Sequence, residues 1–539
     1  MLRKRHGVAA AILTLALSPA LALAQPVAFF TDLTSGPNTG SGDYADGAFV
    51  RIYGSGFGAT RGGGRVTLNG SEVASYAFWG TDPISGLSMI VVQPGSGTSS
   101  GDFVVTTNNG ESSNGIRYTI DNSRNIREVN NNSSLQSAAS SISGNNRRDI
   151  VYFRGGTYST RVGRTSWGDD DFTFGSAFSN TAWIAYPGET VNVGDWRFYD
   201  GAGNADDVTV AGMYAVGGSD VFFSGWGGTA GSSNEPGPVN NRIIGNDITT
   251  TYTHNTQTGA VQTTGDGFRM LGNFVHDNGG NTIHNNNHSV YIQLGADDVE
   301  VAWNRFYNER LGHVIQVHTD GPMRQYDNVR IHSNVLQQGP NGSCRGINVS
   351  GSTASSTVDV YNNVFDSVGQ NFSVHISYTG TTRFFNNTIV RGNGSDSFDG
   401  LVRLRGGEGS LTVYNNIFWD DGNSSNYVSA ESGASMGSDL IVDSNLYFNR
   451  GNGPSSDSNA VSGNPELVNP SDSVWSRRDY RPLPTSPAVD AGSGSVGSLV
   501  SRDQAGSARP RGNGYDLGAY ESDGTIAARP SPPRDLVAQ

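Results

Sequence analysis

Between Arg242 and Asn449 the chain writes one pattern eight times: RIIGNDIT, FRMLGNFVHD, VEVAWNRFYN, VRIHSNVLQQ, VDVYNNVFDS, TRFFNNTIVR, LTVYNNIFWD and LIVDSNLYFN. Each copy is a short alternating run ending in Asn, followed by further apolar residues. The shared Asn falls at 246, 273, 304, 334, 363, 387, 416 and 445, at intervals of 24 to 31 residues. A period in this range belongs to a solenoid, because one such unit cannot bury its apolar side alone. The alternation makes the units strands, not helices. Stacked coils of parallel strands form a β-helix, so the expected fold is all-β, a right-handed parallel β-helix. Such a fold lays a flat, regular face along a long molecule, which suits a polymeric ligand. The repeated Asn reads as scaffold, since Asn at a turn bonds its own backbone and its stacked neighbours.

The first residues read as a secretion signal. Arg3, Lys4 and Arg5 precede an apolar run from Val8 to Leu23, and Ala22-Leu23-Ala24 precedes Gln25. The run contains Pro19 and no stop-transfer pattern follows, so cleavage near Ala24 is expected. The product would be secreted, to the medium, the periplasm or the cell surface. No later stretch is apolar enough to span a bilayer. Without the signal, 32 of the 35 Lys and Arg remain against 49 Asp and Glu, a formal charge of −17. That excludes nucleic acid as a natural partner, because phosphate binding needs a basic footprint. An anionic glycan then requires a local gathering of basic residues. Lys4 is the sole lysine and leaves with the signal, so cationic chemistry falls to Arg and protonated His. Cys344 stands alone, reads as a small buried residue, and allows no disulfide within the chain. A monomer is expected.

Residues 25–120 carry strand-like runs FVRIYG, RVTLNG, SMIVVQP, DFVVTTNNG and GIRYTI between Gly, Asn and Ser turns, which predicts a β-sandwich. GAFVRIYGSGFG (47–58), RVTLNG (65–70), VVQPG (91–95) and VVTTNNGESSNGIRYTI (104–120) resemble the IPT/TIG immunoglobulin-like family. The resemblance implies a spacer or binding module. A linker is expected over 121–132. Leu135, Ala138, Ala139 and Ile142 then fall at helical spacing behind Ser133 and Ser134 as N-caps, predicting a helix over the open end of the first coil. The β-helix is expected over 133–522. Within it, DIVYFRGGTYS (149–159) and WIAYPGETVNV (183–193) resemble the first coils of pectate lyase-like and chondroitinase B-like β-helix proteins. SPAVDAG and RPRGNGYDLGAYE resemble the closing segment of secreted bacterial β-helix proteins, and 523–539 reads as a Pro-rich tail.

A companion strand recurs between the Asn-bearing units: SVYIQLG, HVIQVHTDG, RGINVSG, SVHISYTG and LVRLRGG. With Ile292, Ile315, Ile347, Val374 and Val402 placed inward, one outward column reads Gln293, Gln316, Asn348, His375 and Arg403. A parallel column carries His318, Ser350, Ser377 and Arg405, with Tyr291 preceding them. His375 and Arg403 are then neighbours. Arg324, Arg345, Arg383 and Arg391 are expected to extend a basic strip. These columns carry no carboxylate. The carboxylates Asp277, Glu309, Asp320 and Asp366 are read as turn residues.

The resemblance implies action on a polysaccharide, expected to be anionic. A lyase on a uronate polymer must neutralise a carboxylate, remove the C5 proton and protonate the leaving oxygen. Arg403 and Arg405 are candidates for the first task, His375 or His318 for the second, and Tyr291 or Tyr378 for the third. Gln293, Gln316, Asn348, Arg345, Arg405 and Tyr378 are candidate substrate contacts. Chondroitinase B-like lyases pair a lysine base with an arginine, and the mature chain has no such lysine. The alternatives are a glycoside hydrolase, which needs two carboxyls about 5–9 Å apart, and a non-catalytic glycan-binding or adhesin β-helix. The Asp-Pro-His motif of alginate epimerases is absent. His254, His276, Asp277, His284 and His288 lie in turns beside the companion strands without a zinc pattern. Calcium is a possible cofactor at Asp169–Asp171 or at Asp297, Asp298 and Glu300, although no EF-hand spacing is present.

Overall fold

The computed structural model describes residues 25–522 except 146, 164–170, 202, 219, 226–236, 252–257, 279–286, 311, 320–323, 340–343, 352–355, 369–371, 376–379, 393–399, 407–408 and 421–425. The expected signal, the Pro-rich tail, Tyr378, His254, His284 and Asp320 therefore lie outside the described residues.

Each sequence repeat is two strands, not one. In the unit VEVAWNRFYN, the strand Glu300–Ala302 ends at Trp303 in the left-handed region, Asn304 follows, and Arg305–Tyr307 starts a second strand. The same single left-handed residue turns the corner at Gly245, Gly272, Ser333, Asn362, Asn386, Asn415 and Ser444. With the companion strand, the coils build three parallel sheets of twelve, twelve and eleven strands among the described residues. The first sheet runs from Ile126–Val129 to Leu440–Asp443, the second from Gly156–Tyr158 to Val461–Ser462, and the third from Val162–Gly163 to Val428–Glu431. The chain is thus a right-handed parallel β-helix with an immunoglobulin-like β-sandwich before it. Ile126–Val129, in the stretch expected to be a linker, is the first solenoid strand and pairs with Ile150–Phe153.

Coil spacing stacks like on like. Met270, Val301, Ile331, Val360, Phe384 and Val413 meet in register down the interior of the first sheet, all fully buried. Burying such a side chain contributes about 1.5–3 kcal/mol. Beside them the Asn side chains form a continuous ladder. Asn304 Oδ1 accepts from Asn273 N and Nδ2 at 2.9 Å each, and its Nδ2 donates to Met270 O at 2.9 Å and to Asn334 Oδ1 at 3.0 Å. The ladder ends on Asp457, whose Oδ2 accepts from Asn445 N and Nδ2.

The first coil is closed by the helix Asn132–Ser143, which buries Leu135, Ala138, Ala139 and Ile142 as expected. Its N-cap is Asn131, two residues before Ser133 and three before Ser134. Asn131 accepts from Ser134 N, and the Ser134 hydroxyl answers to the Asn131 backbone, a reciprocal capping box.

Two of the three outer faces are covered. The sandwich, a four-stranded sheet with a five-stranded one, lies along the first sheet and shares one apolar cluster with Ile150, Tyr152, Ile184, Ala211, Ile244, Leu271 and Ala302. It is docked, not a detached spacer. Further along, Val496 and Val500 cover Phe385, with Tyr361 and Tyr414 beside them. The C-terminal segment returns along the second sheet, where Leu467, Tyr480, Ala488, Leu517 and Ala519 cover Val364, Val390, Ile417 and Leu446. Asp366, fully buried, holds this return by accepting from Arg478 Nη1 at 2.5 Å and Tyr480 Oη at 2.6 Å while pairing with Arg391. Among the described residues neither apolar cover reaches the outer side of the third sheet.

Candidate functional site

The third sheet is polar on its outer side and lacks the apolar clusters that the docked sandwich and the C-terminal return form against the other two. Its register sets three columns. The first reads His288, His313, Arg345. The second reads Tyr291, Gln316, Asn348, Ser373, Arg403, Ser429. The third reads Gln293, His318, Ser350, His375, Arg405, Glu431.

This corrects the expected columns. Gln293 lines up with His318, not Gln316, and His375 lines up with Arg405, not Arg403. Both errors are slips of two residues. Side chains alternate with a period of two, so such a slip leaves every inward residue inward and cannot be seen in the pattern. Three of the arginines expected to extend a basic strip lie elsewhere. Arg383 pairs with Asp359 on the first sheet, Arg391 with Asp366 on the second, and Arg324 with Asp266 and Asp297 in a turn. Arg345 alone belongs to the third sheet.

The second column is an amide network. Asn348 Nδ2 donates to Gln316 Oε1 at 2.9 Å, Gln316 Nε2 donates to Ser350 Oγ at 3.1 Å, and Ser350 Oγ meets His318 Nδ1 at 2.7 Å. Upstream, Gln293 Nε2 donates to Gln262 Oε1 at 3.0 Å, and Gln262 in turn bonds Asp220. Gln293, Gln316 and Asn348 are buried, whereas Tyr291, His318, Ser350 and Arg345 are half-buried and Arg405 is exposed. Arg403 departs from its expected accessible position, being 1% exposed. Burial lowers its pKa, and Glu431, 3.7 Å from Nη1, opposes that. Glu431 is a carboxylate on a face expected to have none. Its strand, VSAE at 428–431, continues the alternation of the companion strands and is the signal that would have found it. The strand backbone of Phe372–His375 is described, and the His375 side chain lies outside the described residues.

At the start of these strands His288 stacks on His313 with ring centroids 5.8 Å apart and leans on Tyr291 at 5.0 Å. Burial pushes the His288 imidazolium down to about 3, so the ring is neutral. Below them Glu309 is fully enclosed and accepts from Ser289 Oγ and Asn278 Nδ2. Burial pushes its carboxyl up to about 8, outweighing those bonds. His276, on the second sheet, is clamped at 2.8 Å by Asp247 and by Asp277. Burial works against its charge, but the two carboxylates raise it to about 9.

Among the described residues no group of three or more His, Cys, Asp or Glu side chains could hold a metal ion. Of the carboxylates expected as calcium candidates, Asp297 pairs with Arg324, Asp298 bonds Asn328, and Glu300 bonds His332 and Arg269. No helix among the described residues is long and apolar enough to cross a membrane.

The class defined by this architecture is a parallel β-helix with two covered sheets and one polar sheet. No family model matches the chain, and no curated protein matches it. Among solved structures it is similar to pectate lyase Pel9A, at 15% identity over 74% of this chain and 96% of that one, with a TM-score of 0.42. It is also similar to the catalytic unit of a GH87 α-1,3-glucanase from Streptomyces thermodiastaticus (13% identity, 75% and 80% of the chains, TM-score 0.35). A family 28 exopolygalacturonase from Yersinia enterocolitica matches at 10% identity over 79% and 98%, with a TM-score of 0.32. Likenesses this distant say nothing about what this chain binds or does.

Proposed function

We propose that the protein is a secreted polysaccharide lyase that cleaves a uronate-containing polymer by β-elimination along the third sheet. The observation that carries this reading is the register of His375 with Arg405, next to Ser373 with Arg403, on the one sheet that neither cover reaches. Neighbouring coils stand ~4.8 Å apart, so a base at His375 and a cation at Arg405 can serve one sugar ring. Arg405 would meet the uronate carboxylate, drawing charge from C5. Arg403, enclosed behind it, adds positive potential without contact. His375 would take the C5 proton. The electron pair then forms the C4–C5 double bond, the C4–O bond breaks, and the departing oxygen receives a proton from Tyr378, three residues along the chain.

His318 lies two coils from His375, ~10 Å, and Tyr291 one further coil away. That separation is too long for them to act on the same ring, so they are assigned to the neighbouring sugars. Ser350 orients His318, since its hydroxyl has two lone pairs and Gln316 occupies one. The hydrolase alternative is weakened by carboxylate placement. Among the described residues, Glu431 ends its column, and Asp220 meets Gln262 some six coils away, ~29 Å, far beyond the ~5–9 Å a glycosidase pair spans.

The test is to incubate the secreted protein with polygalacturonate, alginate, chondroitin and neutral glycans while following the ultraviolet absorbance of an unsaturated product. Absorbance is expected to rise with a uronate polymer. Reducing ends released from neutral glycans without absorbance would replace the lyase by a hydrolase, and no product from any glycan would leave a binding protein. Full activity in His375→Ala would remove the assigned base.

A further inference from the structure

Charge is spread unevenly along the third sheet, and the unevenness bears on the polymer it can hold. Down the third column the side chains read Gln293, His318, Ser350, His375, Arg405 and Glu431. Among the described residues that column has one permanent cation, Arg405. In the second column Arg403 is 1% exposed, so it adds potential without reach. Arg345 stands in the first column, five residues along its strand from Ser350, ~16 Å away.

The sequence supplies no further cation to this end of the sheet. Between Gln370 and Asn426 the arginines are Arg383, Arg391, Arg403 and Arg405, and there is no lysine. Arg383 and Arg391 pair with Asp359 and Asp366 on the other two sheets. The exposed Arg405 is then flanked unequally. One coil beyond it, Glu431 occupies the same column on the last strand of the sheet. The Glu431 side chain is 31% exposed, and its Oε2 stands 3.7 Å from Arg403 Nη1, too far for a hydrogen bond. On the other side, past His375, come the neutral Ser350 and the amide pair Asn348 and Gln316.

A polymer with a uronate at every sugar fits this pattern poorly. With one carboxylate on Arg405, the next in one direction lies over Glu431, about one coil spacing, ~5 Å, from a like charge. The next in the other direction meets a hydroxyl and amides, with no cation to offset its lost hydration. A chain whose uronates are separated by uncharged sugars avoids both costs, because its hydroxyls and amides face the neutral levels. We propose that the substrate is an unsulfated polysaccharide in which uncharged sugars separate the uronates, and that Glu431 is the specificity residue that rejects a uronate in the adjoining position. This rests on the lyase reading of the third sheet and narrows it to one class of polymer.

The full-length secreted protein would be compared on hyaluronan and unsulfated chondroitin, which alternate a uronate with an uncharged sugar, and on polygalacturonate and alginate, which do not. From the ultraviolet absorbance of the product, kcat/KM is expected to be about tenfold higher on an alternating polymer. Glu431→Gln should cut that ratio about tenfold, whereas Glu431→Asp, which keeps the charge, should hold it. Should Glu431→Gln fail to fold, the parent in about 1 M NaCl takes its place, since charges are then screened beyond ~3 Å and the ratio should fall. A homouronate cleaved as well as every alternating polymer overturns the proposal, as does a ratio that neither Glu431→Gln nor salt moves. If no polymer yields an unsaturated product, the lyase reading falls and binding decides whether the charge pattern selects. Calorimetric titration should then favour a hyaluronan hexasaccharide over hexagalacturonate about tenfold, with the preference lost in Glu431→Gln. Equal affinities, or no binding of either, would overturn the selection as well.

Discussion

The Asn corner and the third sheet of the same coils follow opposite rules. At the corner eight successive coils repeat one residue, each Asn is fully buried, and its donors and acceptors are met by the coils above and below. On the third sheet the columns change from coil to coil, from Gln to His to Ser to Arg. Repetition at the corner satisfies buried polar groups, which costs dearly when left undone. Variation on the third sheet serves no such need, since its bonds are made by different groups at each level. In a solenoid the residue that repeats is the scaffold, and the residue that breaks the repeat is the one to ask about function.

The strongest way to break the comparison is at the corner. Asn334→Ala would strand the Asn304 backbone N–H and side-chain amide and leave Val301 O and Asn363 Oδ1 short of a donor. At ~1–3 kcal/mol per buried group, and allowing for relaxation, the loss should be about 4 kcal/mol. It would be read as a lowered urea midpoint, and a loss under about 1 kcal/mol would deny the ladder its structural role.

On the third sheet the effect should move from stability to turnover. Arg405→Ala is expected to lower turnover of the uronate polymer about a hundredfold, as removal of one charge-stabilising group does elsewhere. Its exposure predicts a stability change within about 0.5 kcal/mol. A variant that melts early and turns over normally would reverse the assignment of the two regions.

A smaller effect sharpens the boundary between them, where His276 and Glu309 lie. Both have folded pKa values raised above the unfolded ones, to about 9 and about 8. Each therefore contributes stability that is fully present below its unfolded pKa and is lost as pH rises through the folded value. For His276 the window is ~6.5 to 9, and for Glu309 ~4.5 to 8. Stability should fall between pH 6 and pH 9 by on the order of 2 kcal/mol. Glu309→Gln, which keeps the shape and removes the titration, should melt at a higher temperature than the parent at pH 9. A parent melting temperature flat across that range would show that neither group is held as described.

The fold was legible because a solenoid writes its period into the chain. The Asn spacing revealed the coils, and the spacing of Leu135, Ala138, Ala139 and Ile142 revealed the cap. The cap residue itself was misplaced, because Asn131 and Ser134 exchange bonds, and either looks like an N-cap from sequence alone. The site was legible in composition and not in alignment. Gln293, Gln316, Asn348, His318 and Arg405 do belong to the third sheet, yet the partners of Gln293 and His375 were wrong by two residues. Glu431 was missed because its strand stood outside the recognised companion runs, and His313 because it stood at the edge of one.

The sequence by itself determined the period, the parity of inward and outward residues, and that Lys4 is the sole lysine. Each depends only on local alternation or on composition. Only the tertiary structure decided which outer face remains polar, which column His375 shares, and that Arg403 is enclosed while Arg405 is exposed. The physical reason is that hydrophobic burial is nondirectional and alternation is blind to slips of two. The choice of neighbours is then left to turn lengths, to the docked sandwich, and to a C-terminal segment that returns over 100 residues later to Asp366.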